Sequence, residues 1–232
     1  MENFLPKESY QPITDEFLAK NTFVINPSTK YNRFKRQLFS PENTANLTIL
    51  EAKVLETLLT SNKRLSPPDW YKILYPNEEY IDIDDDDKRV YELLWRTRKK
   101  FLPFFSDGFS LPDEIKFPSV INIAENCLYD FFQRAIITDF NSKKQRLFLL
   151  GQANGRQSML LEILINYPNQ QISHKTIKEI IWRNDQSEND PNQTTLYVLK
   201  NRLVNTLRRI RPDLEKKFIT DKKNNYMWSS GV

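Results

Sequence analysis

Two stretches of this 232-residue chain can be laid over one another at a nearly constant offset. Residues 54–59 match residues 160–165. Ser66, Trp70, Ile73, Leu74 and Tyr75 match Ser173, Ile177, Ile180, Ile181 and Trp182. Residues 90–94 match residues 196–200, and Arg96 falls opposite Arg202. The offset is 106 or 107 at every pair. Self-similarity held across three segments reads as an internal duplication. Whatever fold suits one copy must then suit the other, and the chain is long enough for two small domains.

Local signals give the order of elements within each copy. In the first, residues 22–26 and 34–39 read as short strands. Thr48, with Glu51 three positions on, forms a capping box that opens a helix to about Ser61. Its Leu50, Val54, Leu55, Leu58 and Leu59 share one face. Ser66 caps a second helix with Pro67 at its first position, ended by Pro76. An acidic loop over residues 78–87 precedes a third helix, about 88–102, whose buried stripe is Val90, Leu93, Leu94, Thr97 and Phe101. Residues 120–123 and 128–131 read as a closing hairpin. In the second copy, strands at 134–140 and 145–150 precede a helix at 157–167 and another capped by Ser173. A polar loop at 184–192 leads to a long helix ending near Ile210. A hairpin follows, with strands at 218–220 and 226–228.

This order resembles the OmpR/PhoB-type winged-helix effector domain, present twice and without a receiver domain. The resemblance rests on Ser173, Ile177, Ile180, Ile181 and Trp182, then an Arg-rich third helix, then Ile219, Thr220 and Tyr226 in the final hairpin. It implies an α+β fold of two tandem winged helix-turn-helix domains. Each would have an N-terminal antiparallel sheet, three helices and a C-terminal β-hairpin wing. The expected boundaries are an N-terminal arm at 1–20, a first domain at 21–131 and a second at 132–232.

Composition narrows the chemistry. Four glycines cannot supply a P-loop or a dinucleotide-binding turn. One cysteine, Cys127, excludes an internal disulfide and a cysteine-based zinc cluster, and one histidine, His174, excludes a multi-His metal site. Cys127 has no neighbouring histidine to make it reactive. The run Asp82, Asp84, Asp85, Asp86 and Asp87 lacks the central glycine and terminal glutamate of a calcium-binding loop, and reads as a solvated acidic loop. The expectation is therefore no enzyme, no catalytic residue, no cofactor and no metal. The opening residues lack a secretory-signal pattern, and no apolar run approaches the length of a membrane span. A cytoplasmic, nucleoid-associated bacterial protein with no membrane partner is expected.

Charge separates the halves when they are divided at residue 131. The first 131 residues carry 17 basic and 21 acidic side chains, and the remaining residues carry 17 and 9. Different partners for an acidic and a basic half are expected. In a helix-turn-helix the third helix enters the major groove. At 100° per residue, Leu196, Leu199, Leu203, Leu207 and Ile210 face inward. Thr194, Val198, Asn201, Arg202, Asn205, Arg208 and Arg209 face out. Arginine suits guanine, asparagine suits adenine, and valine or threonine meets a thymine methyl. Lys222 and Lys223 at the hairpin tip, with His174 and Lys175 at the start of the preceding helix, suit phosphates.

The corresponding helix of the first copy presents Lys88, Arg89, Glu92, Trp95, Arg96 and Lys99. Glu92 opposes phosphate, so this surface is read either as a secondary DNA contact or as a docking site for a protein partner with Trp95 as anchor. The expected function is sequence-specific binding of double-stranded DNA in transcriptional regulation, with the second copy as main reader and the chain a monomer or homodimer. The alternatives are a plasmid- or phage-type replication initiator and a winged-helix interaction scaffold.

Overall fold

A computed structural model describes residues 11–61, 65–76, 78–80, 83–105, 120–140, 142–150, 155–182, 193–221 and 225–230, with side chains omitted at 11–13, 83, 193 and 194. The fold is mixed α+β and divides into two compact units. One comprises residues 20–117, and the other residues 118–232 together with residues 1–19. Among the described residues, no helix is long and apolar enough to cross a membrane.

The 20–117 unit opens with four short strands, β1 (Thr22–Asn26), β2 (Thr29–Asn32), β3 (Gln37–Phe39) and β4 (Thr44–Asn46). They form an antiparallel meander in chain order. Helices α2 (Ile49–Thr60), α3 (Pro67–Leu74) and α4 (Ile83–Phe101) follow; α1 (Gln11–Lys20) lies, but for Lys20, in the other unit. Thr48 caps α2 through a reciprocal capping box with Glu51, as its spacing predicts. The Ser66 amide and hydroxyl both donate to Asp69, fixing the first turn of α3. Leu38, Val54, Leu55, Leu74, Val90, Leu93 and Phe101 meet in one core. Phe104 and Phe105 complete it.

Helix α4 begins five residues earlier than its predicted start. Asp84, Asp85 and Asp86 form its first turn rather than a loop. Carboxylates are favoured there by the unpaired backbone N–H groups and the helix dipole. Arg98, Lys99 and Lys100 complement the other end.

The second unit contains strands β5 (Val120–Ala124), β6 (Cys127–Asp130), β7 (Ala135–Thr138) and β8 (Arg146–Leu149), again an antiparallel meander in chain order. This moves the predicted boundary. β6 pairs with β7 through Cys127–Thr138 to Asp130–Ala135, so the hairpin at 120–130 opens the second sheet and does not close the first domain. A division at 131/132 would cut that sheet in two.

Helices α5 (Arg156–Asn166), α6 (His174–Trp182), α7 (Gln193–Ile210) and α8 (Pro212–Lys217) follow, then the hairpin β9 (Phe218–Thr220) and β10 (Tyr226–Trp228). The short α8 was not expected; Pro212 at its first position is favourable for a new helix after α7 ends. The predicted N-terminal arm is also revised. Residues 11–20 form helix α1, whose Phe17 is fully buried with its ring 6.2 Å from that of Tyr167.

The first three strands of the two sheets repeat each other at an offset of 98, and the fourth strands follow at a longer one. β1 and β5 carry the same irregularity, between Val24 and Asn26 and between Asn122 and Ala124. Asn32 and Asp130 accept the Lys35 and Gln133 amides through their side chains. Arg36 and Arg134 adopt positive φ, at 52° and 50°. Their carbonyls accept the amides of Leu47 and Leu150 at 2.7 and 3.0 Å. Beneath each sheet lies a buried carboxylate. Glu56 accepts from the Tyr31 hydroxyl at 2.9 Å and pairs with Arg33 at 2.8 Å. Glu162 accepts from the Tyr129 hydroxyl at 2.7 Å and pairs with Arg134 at 3.2 Å.

Candidate nucleic-acid interface

Helix α7 takes its orientation from leucines. Leu196, Leu203 and Leu207 are fully buried and Leu199 nearly so. The helix packs against α5, and α8 packs on its far end. Ile210, expected inside, is half-buried. With that stripe fixed, the opposite face is exposed by geometry alone.

Val198, Arg202, Asn205, Arg208 and Arg209 are exposed and Asn201 is half-buried. Thr194, Lys222 and Lys223 lie outside the described side chains. The exposed side chains do not all stand open to solvent alone. Arg208 makes a forked ion pair with Glu215 of α8, at 2.6 and 2.5 Å, and reaches Asn205 at 3.4 Å. The carboxylate beside it holds the guanidinium pKa above its ordinary value. Arg208 is therefore part of the α7–α8 corner, and a phosphate would have to compete with Glu215 for it. Among the described residues, neither Arg202 nor Arg209 makes an ion pair, and both are exposed.

The face also includes a side chain that sequence reasoning passed over. Tyr197 is 55% exposed, and the Lys200 ammonium lies 5.5 Å from its ring. The helical angle that selected Asn201 and Val198 places Tyr197 at the margin of the same face, so periodicity alone could have found it.

The hairpin is tied down at its base. Ile172 and Tyr226 exchange backbone hydrogen bonds at 2.8 and 2.9 Å. Asn169, at φ 64°, donates its amide to the Trp228 carbonyl at 2.7 Å, and its side chain binds Ser230. Asp221 accepts from both the backbone and the side chain of Asn225, shaping the turn.

His174 packs against that base. Its ring stands edge-on to Tyr226 at 4.5 Å, and Nε2 is buried with no hydrogen-bond partner among the described residues. Burial, then Lys178 and Lys200, push its pKa below the ordinary value, while Asp221 opposes them. Lys175, one residue on, is exposed.

The first unit's counterpart, α4, is arranged differently. Lys88, Arg96 and Lys99 are exposed, as expected. Arg89 pairs with Glu78 at 2.6 Å and its guanidinium lies 3.8 Å over the Tyr75 ring, so it braces the unit's own surface. Trp95 is 61% exposed, with the Lys99 ammonium 3.8 Å from its ring centroid. Tyr91 is 58% exposed.

Cys127 is fully buried, and burial pushes its thiol up to about 11, so it stays protonated. Among the described residues, no group of three or more His, Cys, Asp or Glu side chains is placed to hold a metal ion. No protein-family model matches the chain, and no curated protein matches it.

Proposed function

We propose that this protein is a sequence-specific double-stranded DNA-binding protein acting in transcriptional regulation, with a winged-helix arrangement in its second unit. Helix α7 of the second unit is the main reader. The observation that carries this reading is the exposed face of α7, where Asn201, Arg202, Asn205 and Arg209 share one side of an 18-residue helix with Tyr197 and Val198. These residue types can distinguish bases by bidentate hydrogen bonds and methyl contact, and an 18-residue helix has the length and width to enter a major groove. The order of a four-stranded sheet, helices α5 to α8 and a terminal hairpin in this unit supports the winged-helix reading. The hairpin, held at its base by Ile172 and Asn169, would flank the reading helix.

Net charge contributes less to this proposal than the local face does. Divided at the units' own boundary, residues 20–117 carry 16 basic and 15 acidic side chains, and the other unit carries 18 and 15. The earlier contrast depended on counting 118–131 with the first half and on the acidic character of residues 1–19.

Selection of bound sequences from random duplex DNA by the full chain tests the proposal. Wild-type protein should enrich a defined motif. Arg202→Ala with Arg209→Ala should abolish the enrichment while leaving the circular dichroism spectrum unchanged. Equal enrichment by the double variant would remove α7 as the reader.

A further inference from the structure

One exposed stripe of α4 reads, from its N-terminus, as acid, lysine, tyrosine, tryptophan, base. Asp84 and Asp85 are exposed in the first turn. Lys88 follows one turn on, then Tyr91 at 58% and Trp95 at 61% exposure. Arg98 and Lys99 are exposed in the last turn, and Leu102, at 56%, lies just past it. At 100° per residue, Asp84, Lys88, Tyr91, Trp95 and Arg98 fall within one quadrant of the helix. Two large aromatics on one exposed stripe are more apolar surface than a solvated helix needs. An acidic first turn on the same stripe opposes a phosphate backbone, which disfavours DNA as its occupant.

The pattern is complementary to itself when reversed. We propose that α4 pairs antiparallel with α4 of a second copy of this chain, forming an isologous homodimer. About a two-fold axis near Tyr91, the Asp84–Asp85 end of one helix meets the Arg98–Lys99 end of the other. The pairing is repeated by symmetry. Lys88 of each copy comes opposite Trp95 of its partner, and the two Tyr91 rings meet at the axis. The cation–aromatic contact repeats across the interface what Lys99 already makes with Trp95 within the helix, at 3.8 Å. Lys100 is not part of this face, because it pairs with Glu51 at 2.8 Å. Glu92 lies at the rim. A single helix pair buries area at the low end for stable complexes, so association is concentration-dependent.

The dimer does not depend on the DNA-binding reading. Only its consequence does: a two-fold dimer doubles α7 and calls for an inverted-repeat target. Sedimentation equilibrium of the full chain without DNA tests the dimer separately. Wild-type protein should shift from the 27.7 kDa monomer to twice that mass as its concentration rises. Asp84→Lys with Asp85→Lys should hold the chain at monomer mass, and so should Arg98→Asp with Lys99→Asp. Mixing the two double variants in equal amounts should restore the doubled mass as a heterodimer, because each altered end then meets its complement. This mixing arm also shows that both variants fold. A wild-type chain that stays monomeric across the whole concentration range overturns the proposal. So do double variants that still dimerise alone, or variants that stay apart when mixed.

Discussion

His174 shows how one side chain's surroundings decide its use. A histidine at a helix start is a reasonable anion ligand on spacing alone, but Tyr226 lies edge-on to it and its Nε2 is buried. Its lowered pKa has a stability consequence with a fixed sign. At pH values just below the ordinary histidine value of about 6.5, the unfolded chain binds a proton that the folded chain does not. Stability is therefore full above that value and falls as pH drops through it. Urea midpoints should decline between about pH 7.5 and pH 5.5, and His174→Phe should flatten that decline. Equal slopes in the two proteins would mean that the ring is as free to protonate when folded as when unfolded. Arg208 carries the same lesson for a cation. Helical angle places it on the proposed reading face, yet Glu215, seven residues on and in a helix not foreseen, pairs with it.

At the scale of elements, the two units share a device beneath their sheets. A glutamate on the first helix after each sheet joins a tyrosine of the second strand to an arginine of the following turn. Glu56 and Glu162 are separated by the same 106 positions as the helices they belong to. Removing either carboxylate would break a buried ion pair, which costs about 3–5 kcal/mol. Glu56→Ala and Glu162→Ala should each lose that much in chemical denaturation, and a loss below about 1 kcal/mol would mean that water replaces the carboxylate.

The helices were legible in sequence because caps and 3.6-residue periodicity are local. Thr48, Ser66 and Ser173 mark starts that the structure keeps. The sheets were less so. β2 and β4, at four and three residues, are too short to show alternation, and pairing is decided by partners distant in sequence. A local signal did exist. Tyr31, Asn32, Phe34 and Arg36 recur as Tyr129, Asp130, Phe132 and Arg134. That repeat has a different offset from the helices because the connections between sheet and helix differ in length. Recognising it would have placed residues 120–130 in the second sheet.

For the whole molecule, redrawing the boundary changes what charge can say. The strong contrast between halves gives way to two nearly balanced units, so recognition must be sought in local faces. The α7 face, with Lys175 exposed at the start of α6, is the best candidate for contact with DNA. The stripe on α4 has the composition of a protein contact. Of the proposed site, the composition of the α7 face was legible from periodicity. The involvement of Arg208 with α8 and of His174 with the hairpin was not, because both depend on tertiary neighbours. The salt dependence of binding tests the central claim most directly. Titrating the full chain into a labelled duplex carrying its selected motif, over a range of salt, should give log affinity falling with log salt at a slope of about −3 if Lys175, Arg202 and Arg209 each neutralise one phosphate. Alanine at both Arg202 and Arg209 should flatten it by about two units. A wild-type slope near zero, or one unmoved by the double substitution, would contradict the assignment of α7 as the DNA-contacting helix.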